Sequence, residues 1–404
     1  LLGICFKYLC RKRVKRMSKI LMINLPYSGH TNPTLGLAAE LVRRGHFVGY
    51  INAPSFREKI EATGAIFIPY DNYSNDLTDQ QIKTRCFLAA YNTGLRVGED
   101  YDLILYELFF YLGKTLADTL GKPCIRQFSM FAWNEHVVNT FIRKSPMWYV
   151  LRLKAVRKLI TRNSSHGIKI KFDEMISEIN HNIPSLNIVY TSKEFQIFAN
   201  EFDERFHFVG PSIGKRISDI HIPFHEMKDI IVYVSMGTVL GKNKDIYQTC
   251  IRAFQGEDVS VIMSLGKYIK QESLGSIPSN FYVYESVPQL EVLEKSSLFI
   301  THGGMNSVNE AICFGVPMLV APIGGDQPTI ADRVEELGMG LRIKGNKIGP
   351  DGLKRLINTI IKEEKFRQNV MKQSIYMKQA GGIHKAADLI EAEISARLLI
   401  EQEH

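Results

Sequence analysis

A chain of 404 residues with 45% apolar side chains can bury more than one core, and two domains are the expected number. The net charge of +8 favours anionic partners, but the basic residues lack the aromatic-interleaved stripe of a nucleic-acid binder, which excludes that class. No apolar run approaches the roughly eighteen residues of a spanning helix, and the six cysteines form no C-x-x-C pair, so metal and disulfide frameworks give way to reduced thiols in a cytoplasmic protein.

In chain order, Arg11, Lys12, Arg13, Lys15 and Arg16 follow an apolar stretch, the reverse of a signal peptide. Met17-Ser18-Lys19 reads as a start, and residues 1–16 are expected to be a disordered upstream extension, with weak membrane-surface contact as the alternative. Residues 17–210 read as a first domain, with strands at Lys19–Asn24, Phe47–Asn52, Ile66–Tyr70, Asp102–Glu107, Cys124–Phe128, Ile188–Thr191 and His207–Gly210. A helix is predicted from Pro33 to Arg44, with Asn32 as N-cap and Gly45 as its stop. Residues 211–228 have no clean period and read as a linker. The pattern restarts in 229–384, with strands at Ile230–Ser235, Val259–Leu265, Phe281–Tyr284, Leu298–Thr301, Met318–Ala321 and Leu341–Ile343, and helices near 306–314, 328–337, 351–363 and 366–379. A last helix falls in 385–404. The fold class is α/β: two doubly wound, Rossmann-like domains facing across a cleft, where ligands bind at the carboxyl edges of the strands.

The densest chemistry lies in Phe299–Glu310 and continues to Gln327. An apolar strand runs into His302 and two glycines, Gly303 and Gly304, and a helix opens at once near Asn306 and Ser307. Glycines that turn backbone N–H groups inward, a helix dipole and a hydroxyl make an anion nest suited to a diphosphate. Glu310, one turn on, suits ribose hydroxyls. The plainer reading is a tight turn in which Asn306 and Ser307 only cap a core helix. Ser235, Gly237 and Thr238 end another strand and could add phosphate contacts or form an ordinary turn. Val287 and Gln289 could address a base edge, and Asp326 with Gln327 could hold sugar hydroxyls, although Asp326 also fits an N-cap.

In the first domain, His30 sits in Ser28-Gly29-His30-Thr31-Asn32-Pro33 at a strand's carboxyl edge. An imidazole there can take a proton at neutral pH, or simply pack. Its orienter should be Glu107, delivered to the same edge, whereas Asp102 lies about 16 Å away along the strand; Glu107 could equally be a structural acid. Phe110, Phe128, Met130 and Trp133, with Phe109, Tyr111 and Phe131 nearby, could line a hydrophobic acceptor pocket or belong to the core.

Val287-Pro288-Gln289, His302-Gly303-Gly304-Met305-Asn306-Ser307, Glu310 and Asp326-Gln327 stand in the order of the UDP-glycosyltransferase signature. With Ser28–Pro33, Ser235–Thr238 and Val209-Gly210-Pro211, the chain resembles that family over about residues 17–390, closest to its macrolide-type bacterial branch. The resemblance implies the glycosyltransferase B architecture, with the C-terminal helix crossing back to the first domain. It implies His30 as general base, pyrophosphate at His302, Asn306, Ser307 and Thr238, ribose at Glu310, uracil at Val287 and Gln289, and sugar at Asp326 and Gln327. Two departures stand out: Ser286 replaces a tryptophan that stacks on uracil in many relatives, and Glu107 stands where Asp is usual. The expected activity is inverting transfer of a sugar, glucose first, from a UDP-sugar to a hydroxyl of a hydrophobic small molecule. No permanently bound cofactor and no metal are expected, because the nest, helix dipole and His302 would meet the leaving charge. The expected protein is a monomer or weak dimer without nucleic-acid or membrane partners. The rival readings are a UDP-sugar 2-epimerase, a non-catalytic sugar-nucleotide binder, and a lipid glycosyltransferase at a membrane surface.

Overall fold

The computed structural model describes residues 17–403 except 75, 145–171, 215–218, 238–243 and 346–347. The expected extension 1–16, part of the expected linker and Thr238 therefore lie outside the described residues. Strands β1 Lys19–Ile23, β2 Phe47–Asn52, β3 Ile66–Pro69, β4 Leu103–Glu107, β5 Cys124–Phe128, β6 Leu186–Val189 and β7 Phe206–Phe208 form one sheet in the order β3-β2-β1-β4-β5-β6-β7. Strands β8 Ile231–Ser235, β9 Ser260–Ser264, β10 Phe281–Tyr284, β11 Leu298–Thr301, β12 Met318–Val320 and β13 Gly340–Arg342 form the second, in the order β10-β9-β8-β11-β12-β13. The pairings are parallel. That follows from strands such as Ile20–Ile23 and Leu298–Ile300, apolar at consecutive positions and buried on both faces under helices.

Strand order reverses between β1 and β4 in the first sheet and between β8 and β11 in the second. A doubly wound sheet opens a crevice where its order reverses. The segment leaving β1 carries His30 and β4 ends on Glu107, while the segments leaving β8 and β11 carry Gly237 and His302.

The first helix departs from expectation. It runs Ser28–Arg43, starts at Tyr27 without a side-chain cap, and encloses Pro33. Sequence patterning favoured a start at Pro33 because proline is best tolerated in a first turn. Here the Tyr27 carbonyl accepts from the His30 and Thr31 amides, both at 2.9 Å. Asn24, at the end of β1, donates to the His30 carbonyl at 3.0 Å and to Thr34 Oγ1 at 3.1 Å. These bonds, two of them from a residue before the helix, extend it backward, so His30 sits in its first turn rather than in a preceding loop.

The final helix, Gly382–Glu403, lies on the first domain. Ala386, Ala387 and Ile390 are fully buried in one cluster with Ile20, Leu37, Leu41 and Tyr50. A polar clasp surrounds that contact. Buried Glu40 accepts from Arg43 Nε and Arg44 Nε, each at 2.7 Å, and pairs with His384 Nδ1 at 3.0 Å. Arg44 reaches on to Asp388 at 2.6 Å and Glu391 at 2.9 Å. The Arg43 hydrogen bond, joined by Arg44 and His384, holds the Glu40 carboxyl far below the usual range, against the cost of burial. A depressed carboxyl contributes stability above its unfolded value of about pH 4.3, and that contribution disappears as pH falls toward the folded value. Glu40→Gln should therefore lower stability at pH 7 by about 2 kcal/mol, with the deficit shrinking below pH 4. Urea unfolding at both pH values measures it, and an equal deficit at both would contradict the linkage.

Candidate active site

On the first domain, His30 Nδ1 meets Glu107 Oε1 at 2.9 Å. Glu107 is fully buried at the end of β4, and its second oxygen accepts from the Phe109 amide at 2.9 Å. Both carboxylate oxygens are thus fixed, and the longer side chain reaches the imidazole without strain in the backbone. Sequence reading missed a third member. Ser129 donates to Glu107 Oε1 at 2.7 Å and lies 2.8 Å from His30 Nδ1. Parallel pairing of Glu107 with Gln127 brings the residues just beyond β5 to the same edge, so strand register is the signal that could have found it. The Nδ1 proton points at this acidic side, which leaves Nε2 as the basic nitrogen.

The aromatic residues sort differently from expectation. Phe110 and Phe128 are 0% exposed, Trp133 4% and Met130 7%, and all belong to a core cluster that extends through both domains. Phe109, 36% exposed, is the ring beside His30, with centroids 4.0 Å apart. Tyr27 packs edge-on to both at 6.3 and 6.5 Å. A β-turn past Glu107 points successive side chains in opposite directions, so the tandem Phe109-Phe110 puts one ring in the cleft and one in the core.

On the second domain, Thr301 pairs with Ser235, so β8 and β11 release their loops side by side. Between those loops His302 is held by glycine surfaces. A Cβ on Gly237 would come within 2.6 Å of the imidazole Cε1, and one on Gly304 within 2.6 Å of Nε2. Gly237 has φ +75° and Gly303 φ +85°, conformations that aim amides inward. The charge state of His302 follows from this enclosure. Burial pushes its pKa down to about 4, with the Ser235 carbonyl opposing, so the ring is neutral at physiological pH. Its Nδ1 is buried without a partner, which leaves that atom for a ligand oxygen.

Gly304 is the N-cap of the helix Met305–Cys313, which presents Asn306 and Ser307 in its first turn. Glu310 is 3% exposed and accepts from Gln289 Nε2 at 2.6 Å. Gln289 also accepts from Tyr233 OH at 3.0 Å and approaches Ser307 Oγ at 3.4 Å. The residues expected at base and ribose therefore form one network. Val287 is half-buried against the core and Ser286 is exposed. Asp326 occupies the N-cap position of the helix Gln327–Glu336 but makes no side-chain cap bond. Desolvation raises its carboxyl above the usual range, opposed by its own backbone amide and by the charge of His30 across the cleft. Gln327 turns its amide oxygen to the Ile323 and Gly324 amides at 2.8 and 3.2 Å, so it shapes the loop that presents Asp326.

The halves meet. Asn306 Nδ2 donates to the Gly29 carbonyl at 2.8 Å, one residue from His30. In the next turn, Asn309 donates to the Tyr190 carbonyl at 2.8 Å and accepts from Thr191 Oγ1 at 3.0 Å. The chain's Asp-x-Asp string, Asp100-Tyr101-Asp102, lies at the opposite edge of its sheet, where Asp102 accepts from the Lys19 amide at 2.8 Å. Among the described residues no helix is long and apolar enough to cross a membrane.

Comparison with known proteins gives one picture. The family model described as UDP-glucoronosyl and UDP-glucosyl transferase matches residues 145–381. An uncharacterized UDP-glucosyltransferase, YojK of Bacillus subtilis, is 33% identical, with 93% of this chain and 97% of that protein covered. The oleandomycin glycosyltransferase of Streptomyces antibioticus is 28% identical, covering 94% of this chain and 91% of that one. The crystal structure of the calicheamicin glycosyltransferase CalG4 superposes with a TM-score of 0.76 at 27% identity, covering 94% of this chain and 99% of that chain.

Proposed function

This chain belongs to the UDP-glycosyltransferase family and is a glycosyltransferase of its macrolide type with the glycosyltransferase B fold, and we propose that it transfers glucose from UDP-glucose, with inversion, to a hydroxyl on a hydrophobic small molecule. The observation that carries this reading is the His30–Glu107 pair at 2.9 Å, facing the Gly304 nest through the Asn306–Gly29 contact. His30 Nε2 accepts the acceptor's hydroxyl proton, and Glu107, held by Ser129, fixes the ring and stabilises the imidazolium. The oxygen attacks the anomeric carbon from the first domain's side, the C–O bond to the diphosphate breaks, and UDP leaves toward the second domain. Backside attack inverts the anomeric centre.

The leaving diphosphate is met by the His302 imidazole, by the nest amides, by Ser307 and by the helix dipole. Glu310 and Gln289 address ribose and base, and Asp326 the sugar. With these groups meeting the charge, the reaction needs no metal in this reading. Phe109 and Tyr27 offer the acceptor an aromatic wall next to the base. Of the rivals, 2-epimerisation and lipid transfer gain no observation of their own.

Mass spectrometry of UDP-glucose with a panel of hydroxylated aromatic aglycones should show a hexose adduct. NMR should show a β-glucoside from the α-linked donor, and excess EDTA should leave the rate unchanged. Retained α configuration would sink the mechanism, and loss of activity in EDTA would sink the metal-independent version.

A further inference from the structure

Tyr233 stands in the middle of β8, between β9 and β11, and is 1% exposed. Register places it beside Phe299 of β11, and the two rings stack with centroids 4.7 Å apart and planes 7° from parallel. A ring packed in this way, on a central strand, carries its hydroxyl to a fixed point. That point is the first residue of the helix Gln289–Lys295, where Tyr233 OH donates to Gln289 Oε1 at 3.0 Å. Burial pushes the Tyr233 phenol well above its ordinary value, so it stays a donor at physiological pH. The other end of the same amide donates to Glu310 Oε2 at 2.6 Å, and Glu310 is 3% exposed. An ionised carboxylate only accepts, so the amide nitrogen belongs on the Glu310 side and the amide oxygen on the Tyr233 side. One strand and two helices thus contribute to a single line of hydrogen bonds, from Tyr233 through Gln289 to Glu310, that runs from the sheet interior to the residue proposed for ribose.

We propose that Tyr233 is a positioning residue that makes the donor site selective for ribose: its phenol pins the Gln289 amide, and the pinned amide holds Glu310 in the orientation that accepts from the ribose hydroxyls. Glutamine is among the side chains with the most rotamer freedom to lose. Engaged at one end only, its amide could swing away and take the Glu310 hydrogen bond with it. The phenol opposes that swing, because the swing would strand a buried donor. Gln289 occupies one acceptor position of a carboxylate that offers about four, so ribose hydroxyls can be accepted beside it. The line ends at the ribose rather than at the proton acceptor, so its effect falls on donor choice. The class selected is a ribonucleoside diphosphate sugar over a deoxyribonucleoside one. This rests on the assignment of Glu310 to ribose, and the test separates the two.

The test is titration calorimetry on the full chain, with UDP and its 2′,3′-dideoxy analogue as probes. The wild type should bind UDP at least about tenfold more tightly than the analogue, the effect of hydrogen bonds to a charged group. Tyr233→Phe keeps the ring on Phe299 and removes only the hydroxyl. It should weaken UDP by roughly three- to tenfold and leave the analogue within about twofold of its wild-type affinity, so the preference for ribose narrows. Gln289→Ala should narrow the preference at least as far. Adding Tyr233→Phe to Gln289→Ala should narrow it no further, because both act through one line of bonds. A purely structural role would weaken both probes alike, so equal loss in Tyr233→Phe overturns the proposal. So does a preference that survives Gln289→Ala intact. A wild type that binds the two probes equally would remove Glu310 from the ribose, and the proposal with it. A wild-type preference that Tyr233→Phe leaves unchanged would overturn the role of Tyr233 and keep Glu310 at the ribose.

Discussion

His30→Ala should reduce transfer by about 10²- to 10⁴-fold, the span of a lost general base, while UDP binds within about twofold of wild type. The imidazole belongs to the first domain, joined to Glu107 and Ser129 on its acidic side, and the nest proposed for the diphosphate belongs to the second. Removing the ring deletes proton acceptance without touching a nest group. Glu107→Gln tests the same machinery one step back. It preserves shape and an oxygen for the Phe109 amide, yet removes the negative charge opposite the imidazolium. We expect a fall of roughly 10²-fold in kcat, with little change in KM for the donor, as for a group that orients and stabilises a base. Isothermal titration with UDP and steady-state kinetics separate the outcomes. A collapse of UDP affinity in His30→Ala would assign that histidine to donor binding and remove it from the chemistry.

Gly237→Ala should weaken UDP binding at least about tenfold and lower kcat/KM by at least as much. Two independent costs act at this position. A residue with a Cβ at φ +75° is strained by about 1–2 kcal/mol, and that Cβ would sit 2.6 Å from the His302 ring. The ring is boxed in by Gly304 on another side, so it has to move away from the diphosphate position. Gly304→Ala isolates the second cost: Gly304 has φ −66°, so the backbone accepts alanine, but the added methyl meets His302 Nε2 at 2.6 Å. Both variants should lose UDP affinity and keep the His30 turn intact. If Gly304→Ala binds UDP like the wild type, His302 is not a donor contact and the nest must be redrawn.

Much of this architecture is legible in the chain because parallel strands buried on both faces are written as continuous apolar runs. β2, β5, β10 and β11 begin and end at the residues that patterning indicates. β6 and β7 shift by one or two positions, since short strands near one margin of the sheet, Leu186–Val189 and Phe206–Phe208, take their limits from neighbours. Helix starts are less legible. The Ser28 start depends on Asn24, which lies just past β1 and outside the helix, and no local rule places a proline at the sixth position of a helix.

The candidate site divides along the same line. Glycines followed by Asn-Ser, a histidine after each of two strands, and an acid at the end of β4 are local chemistry, so their residue types alone implied an anion nest, a base and an orienter. Ser129 became visible only through pairing of β4 with β5, and Phe109 separated from Phe110 only when the turn chose which ring faces the cleft. The neutral state of His302 comes from burial, and burial is a sum over many residues distant in the chain. Sequence by itself determined the fold class and the residue types that stand just past the strand ends, because each depends on neighbours a few residues away. Tertiary structure alone decided which side chains share a hydrogen bond, which carry charge, and that the Gly29 carbonyl meets an amide from the other domain, because those depend on distances between residues far apart along the chain.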